Sequence, residues 1–124
     1  MDTVLIIDDE APMRKMIRTI LESAQYQVIE APNGIVGLRM FREQQPRLVI
    51  TDILMPDKEG IETIREIKQL DPAARIIAIS GGGRTARTDF LKVAEKFGAM
   101  ESLKKPFRRN DLLACIERVL ARAP

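Results

Sequence analysis

The sequence has no histidine and no tryptophan, a single cysteine, and only one tyrosine and four phenylalanines. Without an imidazole, the chain cannot supply a histidine base, a histidine metal ligand or a phosphohistidine. That excludes Ser-His-Asp hydrolases, zinc–histidine sites and histidine phosphocarriers. A lone Cys115 excludes a disulfide framework and a thiolate metal cluster, and it matches a reducing compartment. The shortage of rings leaves little to stack a flavin. The uninterrupted apolar runs are a few residues long, against the roughly 20 that a membrane-spanning helix needs. Met1-Asp2-Thr3 puts no basic leader before the first run. The expectation is a cytoplasmic protein with no signal peptide and no membrane contact.

What is present is the composition of a globular protein: 124 residues, 45% hydrophobic and 31% charged. That length suits one domain over residues 1–124 with no output domain. The net charge of +2 does not imply direct binding to nucleic acid. Its distribution is uneven. Residues 1–62 carry seven basic and eleven acidic side chains, and residues 63–124 carry thirteen and seven. Most of those basic residues read as solvated helix faces, with a partner surface as the alternative.

Val4-Leu5-Ile6-Ile7 is a run apolar on both faces, the pattern of a buried parallel strand. Tyr26 to Ile29 (more polar, hence at an edge), Leu48-Val49-Ile50, Ile76 to Ile79 and a weaker run near Met100 to Leu103 follow it. Between them the period becomes helical. Met13, Met16, Ile17, Ile20, Leu21 and Ala24 share one helix face. Asn33 caps a second helix bearing Leu38 and Phe41. Ile61, Ile64 and Ile67 mark a third, ended by Leu70-Asp71-Pro72. Phe90, Leu91, Ala94 and Phe97 mark a fourth, stopped at Gly98, and Leu112, Leu113, Ile116, Val119 and Leu120 a fifth. Cys115 falls among the core-facing positions of that helix and reads as a packing residue. Strict alternation predicts a parallel sheet covered on both faces, with chemistry at the carboxyl ends of the strands.

Those ends carry an unusual set of residues: Asp8-Asp9 after the first strand, Asp52 at the third, Ser80 at the fourth, and Lys105-Pro106 after the fifth. Carboxylates about 4 Å apart repel by about 4 kcal/mol at an effective dielectric near 20. Such a set therefore retains a proton or binds a cation. An all-oxygen site suits a hard ion such as Mg²⁺. Mg²⁺ and a lysine beside a nucleophilic carboxylate equip a site for phosphoryl transfer through an aspartyl phosphate. Each piece has a plainer reading. Asp8-Asp9-Glu10 can be an acidic helix start, Asp52 and Lys105 turn residues, and Ser80-Gly81-Gly82-Gly83 a flexible loop. The convergence of every ionic residue on one sheet edge is what favours the chemical reading.

This pattern resembles the receiver domain of bacterial two-component response regulators over essentially the whole chain. The matching stretches are Val4 through Glu10, Asp52-Ile53-Leu54-Met55-Pro56-Asp57-Lys58-Glu59-Gly60, Ile79-Ser80-Gly81, and Gly98-Ala99 through Lys105-Pro106-Phe107. The resemblance implies an α/β, flavodoxin-like, doubly wound five-stranded parallel sheet of order 2-1-3-4-5 with five helices. It implies Asp52 as phosphoacceptor. Mg²⁺ would be held directly by Asp9, Asp52 and the Leu54 backbone carbonyl, and through water by Asp8. Ser80 and Lys105 would contact the phosphoryl group, with a cis bond before Pro106.

Two positions depart from the family. Ser102 stands where a switch Tyr or Phe is usual, and Gly81-Gly82-Gly83 follows the switch hydroxyl. The implied partners are a histidine kinase or histidine phosphotransfer protein and a downstream protein. The downstream partner would read the face of the fourth helix, fifth strand and fifth helix, where Arg84, Arg87, Lys92, Arg109 and Arg118 are expected; a homodimer on that face is an alternative. Such a protein is not an enzyme beyond catalysing its own phosphorylation and dephosphorylation. The competing readings are a pseudo-receiver acting without phosphate and a Mg²⁺-dependent aspartyl-phosphate phosphatase. The latter needs an acid where this chain has Leu54.

Overall fold

A computed structural model describes residues 2–53, 59–80 and 88–122, with the backbone alone at residue 59 and residues 88–91. Five strands, β1 (Thr3–Ile7), β2 (Gln27–Ala31), β3 (Leu48–Asp52), β4 (Ile76–Ser80) and β5 (Glu101–Lys104), alternate with five helices. The helices are α1 (Ala11–Ser23), α2 (Gly34–Gln44), α3 (Glu59–Leu70), α4 (Thr88–Phe97) and α5 (Arg109–Ala121). Every strand pair is parallel, in the order β2-β1-β3-β4-β5. This is the doubly wound fold that the alternation predicts.

The β-branched runs explain the order of the sheet. Val4–Ile7, Leu48–Asp52 and Ile76–Ser80 are buried on both faces, so they must lie inside the sheet. β2 and β5 expose part of their length and take the edges. On one face Leu5, Ile7, Val49, Ile76 and Ala78 pack with Phe41 of α2, Ile64 and Ile67 of α3, and Ala94 of α4. On the other, Val4, Ile6, Ile50, Ile77 and Ile79 pack with Ile17 and Leu21 of α1 and Leu112, Ile116 and Val119 of α5. Cys115 is fully buried there, and burial pushes its thiol up to about 11, so it packs as a small apolar group.

Local signals set the helix ends. The Asn33 side chain accepts a hydrogen bond of 2.8 Å from Val36 N and caps α2. The Asp111 carboxylate accepts one of 3.0 Å from Arg108 N at the start of α5. Gly98 leaves α4 at φ +129°, a conformation that a side chain would oppose.

Several placements differ from the sequence expectation. Met16 and Phe97 were assigned to core faces, yet each is 41% exposed. Met16 lies at the rim of α1 beside the chain that follows β5, and the Phe97 ring sits under the Arg65 guanidinium, 5.5 Å from its centroid. Tyr26 precedes β2 and does not enter it. The side chains of Phe90 and Leu91 lie outside the described residues, as do Leu54 through Lys58, Gly81-Gly82-Gly83, Arg84 and Arg87. Among the described residues no helix is long and apolar enough to cross a membrane.

The edge strand is fastened to α1 by one carboxylate. Glu30 accepts bonds from Arg18 (2.6 Å) and Arg14 (3.1 Å), and Arg18 also reaches Val28 O and Glu22. The Arg18 hydrogen bond, with Arg14 behind it, holds the Glu30 carboxyl below its ordinary value despite partial burial. A depressed folded-state pKa means stability that is present above the unfolded pKa and lost as pH falls through the folded one. Glu30→Gln is therefore expected to cost about 0.5–1 kcal/mol at pH 7, as partly exposed ion pairs do. In urea unfolding, its deficit against the parent should shrink to nothing as the solution is acidified below the Glu30 pKa.

Candidate functional site

All five strands point their carboxyl ends the same way, so whatever follows them meets at one edge. Asp8 leaves β1, Asp52 ends β3, Ser80 ends β4, and Lys105 follows β5. All four are buried, between 2% and 9% exposed, which for Asp and Lys demands compensation.

Lys105 provides it. Its Nζ lies 3.1 Å from Asp52 Oδ2, 3.5 Å from Asp8 Oδ2 and 3.8 Å from Glu10 Oε1. The Lys105 N–H donates to Ser80 O (2.8 Å), which fixes the start of the following segment against β4. The Lys105–Pro106 peptide bond is cis.

The β1–α1 turn is fixed from two sides. Asp8 Oδ1 accepts from Glu10 N at 2.8 Å, and Arg14 Nη1 donates to Asp8 O at 2.7 Å. Since the Arg14 Nε also holds Glu30, the edge strand, helix and acidic turn form one chain of contacts. Glu10 occupies the cap of α1 without a side-chain cap bond, and the first turn has no acidic residue.

Three carboxylates face one ammonium. Oxygens of Asp8, Glu10 and Asp52 lie within 4.8 Å of one another. Burial foremost, with the charges of Asp52 and Glu10 added, raises the Asp8 pKa against the opposing Glu10 N–H bond and Lys105. Burial alone would lower the Lys105 pKa, but the Asp52 and Asp8 carboxylates together outweigh it and raise it. A buried carboxyl group in an all-oxygen set with surplus negative charge suits a hard divalent cation such as Mg²⁺.

Of the residues singled out in the sequence, the structure brings Asp8, Asp52 and Lys105 into contact and buries Ser80 at the same edge. Asp9 is exposed and stands outside the cluster of three carboxylates. Leu54 lies outside the described residues. Sequence reasoning passed over two participants. Glu10 belongs to the cluster and was legible only as the third acid of its run. Gly60 is buried in the first turn of α3, where a Cβ would run into Asp52 O and Ile53 Cα. Its lack of a side chain lets α3 close on the backbone that carries Asp52.

Away from the site, the Ser102 hydroxyl donates to Glu95 Oε2 at 2.8 Å, joining β5 to α4. Glu101 is pinned by Arg118 (2.9 Å) and Arg122 (2.8 Å), joining β5 to α5. Lys92 is exposed on α4. Arg109 departs from its expected place: its guanidinium donates to Ser23 Oγ at 2.8 Å, which assigns it to the seam of α5 with α1.

This fold and this edge define a receiver, and the comparisons agree. The response regulator receiver domain family matches residues 4–117. The chemotaxis protein CheY of Bacillus subtilis is 39% identical over 118 residues, covering 94% of this chain and 96% of that protein. CheY of Halobacterium salinarum is 38% identical over 117 residues, covering 94% and 95%. The crystal structure of a response regulator receiver domain protein from Clostridium thermocellum superposes with a TM-score of 0.87 at 34% identity, covering 97% of this chain and 94% of that one. The chain belongs to the response regulator receiver domain family. Receivers are not enzymes in the ordinary sense, and they bind Mg²⁺ through acidic residues of the kind clustered here.

The close approach of α3 to Asp52 gives a direct check. Gly60→Ala is expected to destabilise the fold by about 1–3 kcal/mol, the usual cost of overpacking. Urea unfolding reads that loss. Because the collision is with the Asp52 backbone, Mg²⁺ affinity should fall with it.

Proposed function

We propose that the chain is a stand-alone phosphoacceptor. Asp52 takes a phosphoryl group from a phosphohistidine on a histidine kinase or phosphotransfer protein, and the modified chain signals to a downstream protein. The carrying observation is the buried contact of 3.1 Å between Lys105 Nζ and Asp52 Oδ2 at the edge that also holds Asp8 and Ser80.

Asp52 is the nucleophile. A carboxylate needs no base to remove a proton, which suits a chain without histidine. An Oδ–P bond forms as the P–N bond of the donor breaks, and the leaving imidazole keeps the electron pair and takes up a proton. The Lys105 ammonium, already beside Oδ2, turns its N–H donors to a phosphoryl oxygen, and the Ser80 hydroxyl donates to another. Asp8 and Asp52, with Asp9 and the Leu54 carbonyl as the resemblance implies, would hold Mg²⁺. Bound there, it supplies positive charge to the transferring group.

The donor has a place to dock. Met13, Met16, Pro106 and Phe107 line an apolar hollow of about 340 Å³ that reaches Lys105. The output face is α4–β5–α5, where the Ser102–Glu95 bond occupies the position of the missing ring. That same bond favours one other reading, a pseudo-receiver whose face is fixed without phosphate.

Incubation of the purified protein with Mg²⁺ and a small acyl phosphate or phosphoramidate should add one phosphoryl group, labile to hydroxylamine, by intact mass. Removing the metal with a chelator should slow the reaction by at least about tenfold, in keeping with the several kcal/mol of charge stabilisation a divalent ion provides. Asp52→Ala should abolish it. No adduct on a parent protein that binds Mg²⁺ would leave the pseudo-receiver, and rapid turnover of a free phosphomonoester would point to a phosphatase.

A further inference from the structure

On the face of the sheet covered by α2, α3 and α4, a groove of about 640 Å³ runs between α2 and α3. Arg39 and Arg42 stand on its α2 side, Glu62 and Glu66 on its α3 side, and all four are exposed. None of the four side chains makes an ion pair or hydrogen bond with a described residue. Ile35, at the head of the groove, is 80% exposed, and half-buried Leu38 lines the floor below it. Like charges one turn apart are unfavourable along a helix, by about 0.2–0.5 kcal/mol per pair. A basic row beside an acidic row, neither engaged in a close ion pair, is complementary to a partner that carries the opposite rows.

We propose that this partner is a second copy of the chain, and that the α2–α3 face is a two-fold homodimer interface. A two-fold interface brings one patch against itself, so the patch must complement itself. Each helix follows a strand of a parallel sheet, so α2 and α3 run in the same direction. A two-fold axis lying parallel to them in the interface places α2 of each copy over α3 of the other. Basic then meets acidic twice. An axis across the helices would stack α2 on α2, arginine against arginine, and the charges select against it.

The heights agree. At 1.5 Å per residue, Arg39 and Arg42 lie about 8 and 12 Å below the start of α2, and Glu62 and Glu66 about 4 and 10 Å below the start of α3. Ile35 of each copy then enters the groove of the other. The proposal does not depend on the phosphoacceptor reading.

Sedimentation equilibrium of the full chain from about 10 μM to about 1 mM covers the range of weak complexes. The expected result is a monomer–dimer equilibrium whose dissociation constant rises at least tenfold between about 50 and 500 mM salt, as screening of exposed charges requires. Arg39→Glu with Arg42→Glu, and separately Glu62→Arg with Glu66→Arg, should each weaken self-association at least tenfold. Mixed together, the two variants should form a one-to-one heterodimer, a rescue that no loss of folding can imitate. Should a reversal variant lose its circular dichroism spectrum, Arg39→Gln with Arg42→Gln takes its place with the same expected weakening. A parent that stays monomeric throughout overturns the proposal and leaves the face to a different protein. A dimer indifferent to both reversals, or a mixture that stays monomeric, overturns it equally.

Discussion

One ammonium, that of Lys105, sits between two buried carboxylates, 3.1 Å from Asp52 and 3.5 Å from Asp8. Burial raises the Asp8 pKa, and the Glu10 N–H bond and then the Lys105 ammonium oppose that rise. The rest of the edge is built to keep that arrangement in place. β5 delivers Lys105 next to β4 by a backbone bond to Ser80, Arg14 grips the carbonyl of Asp8, and Gly60 lets α3 settle against Asp52. The apolar runs of β1, β3 and β4 fix the sheet, and the sheet fixes where their last residues meet.

The balance is deliberately incomplete in charge. Among the described residues Asp8, Glu10 and Asp52 outnumber the Lys105 ammonium, and burial foremost, with the charges of Asp52 and Glu10 added, raises the Asp8 pKa. A site in that condition suits a divalent cation. The missing histidine gives the chemistry its direction. Under the proposed function a phosphohistidine donor must be another molecule, and the chain has no imidazole of its own to activate water against the proposed acyl phosphate.

The strand runs were legible in the sequence because strands buried on both faces leave long β-branched stretches, and Val4–Ile7 and Ile76–Ile79 are such stretches. Asn33 was legible because a cap acts within three residues. Asp8, Asp52 and Lys105 could be brought together from the rule that strand ends share an edge. What stayed hidden depends on distances between elements. Met16 and Phe97 keep helical spacing yet stand partly exposed, since the width of a buried face is set by the neighbouring elements, not by period. Arg109 turns to Ser23, 86 positions away, by a contact no local pattern announces. Gly60 was visible as part of a motif, but its reason is a steric approach to Asp52 that appears only in three dimensions.

Under the proposed function one carboxylate at this edge, that of Asp52, carries the phosphoryl group. Burial ranks Asp8 and Asp52 almost alike, and Lys105 donates to both, to Asp52 at 3.1 Å and to Asp8 at 3.5 Å. Reduction of the phosphorylated protein with borohydride converts an aspartyl phosphate to homoserine, and peptide mapping then locates it. The account predicts homoserine at position 52 alone. Homoserine at position 8 or at any other acid would contradict it.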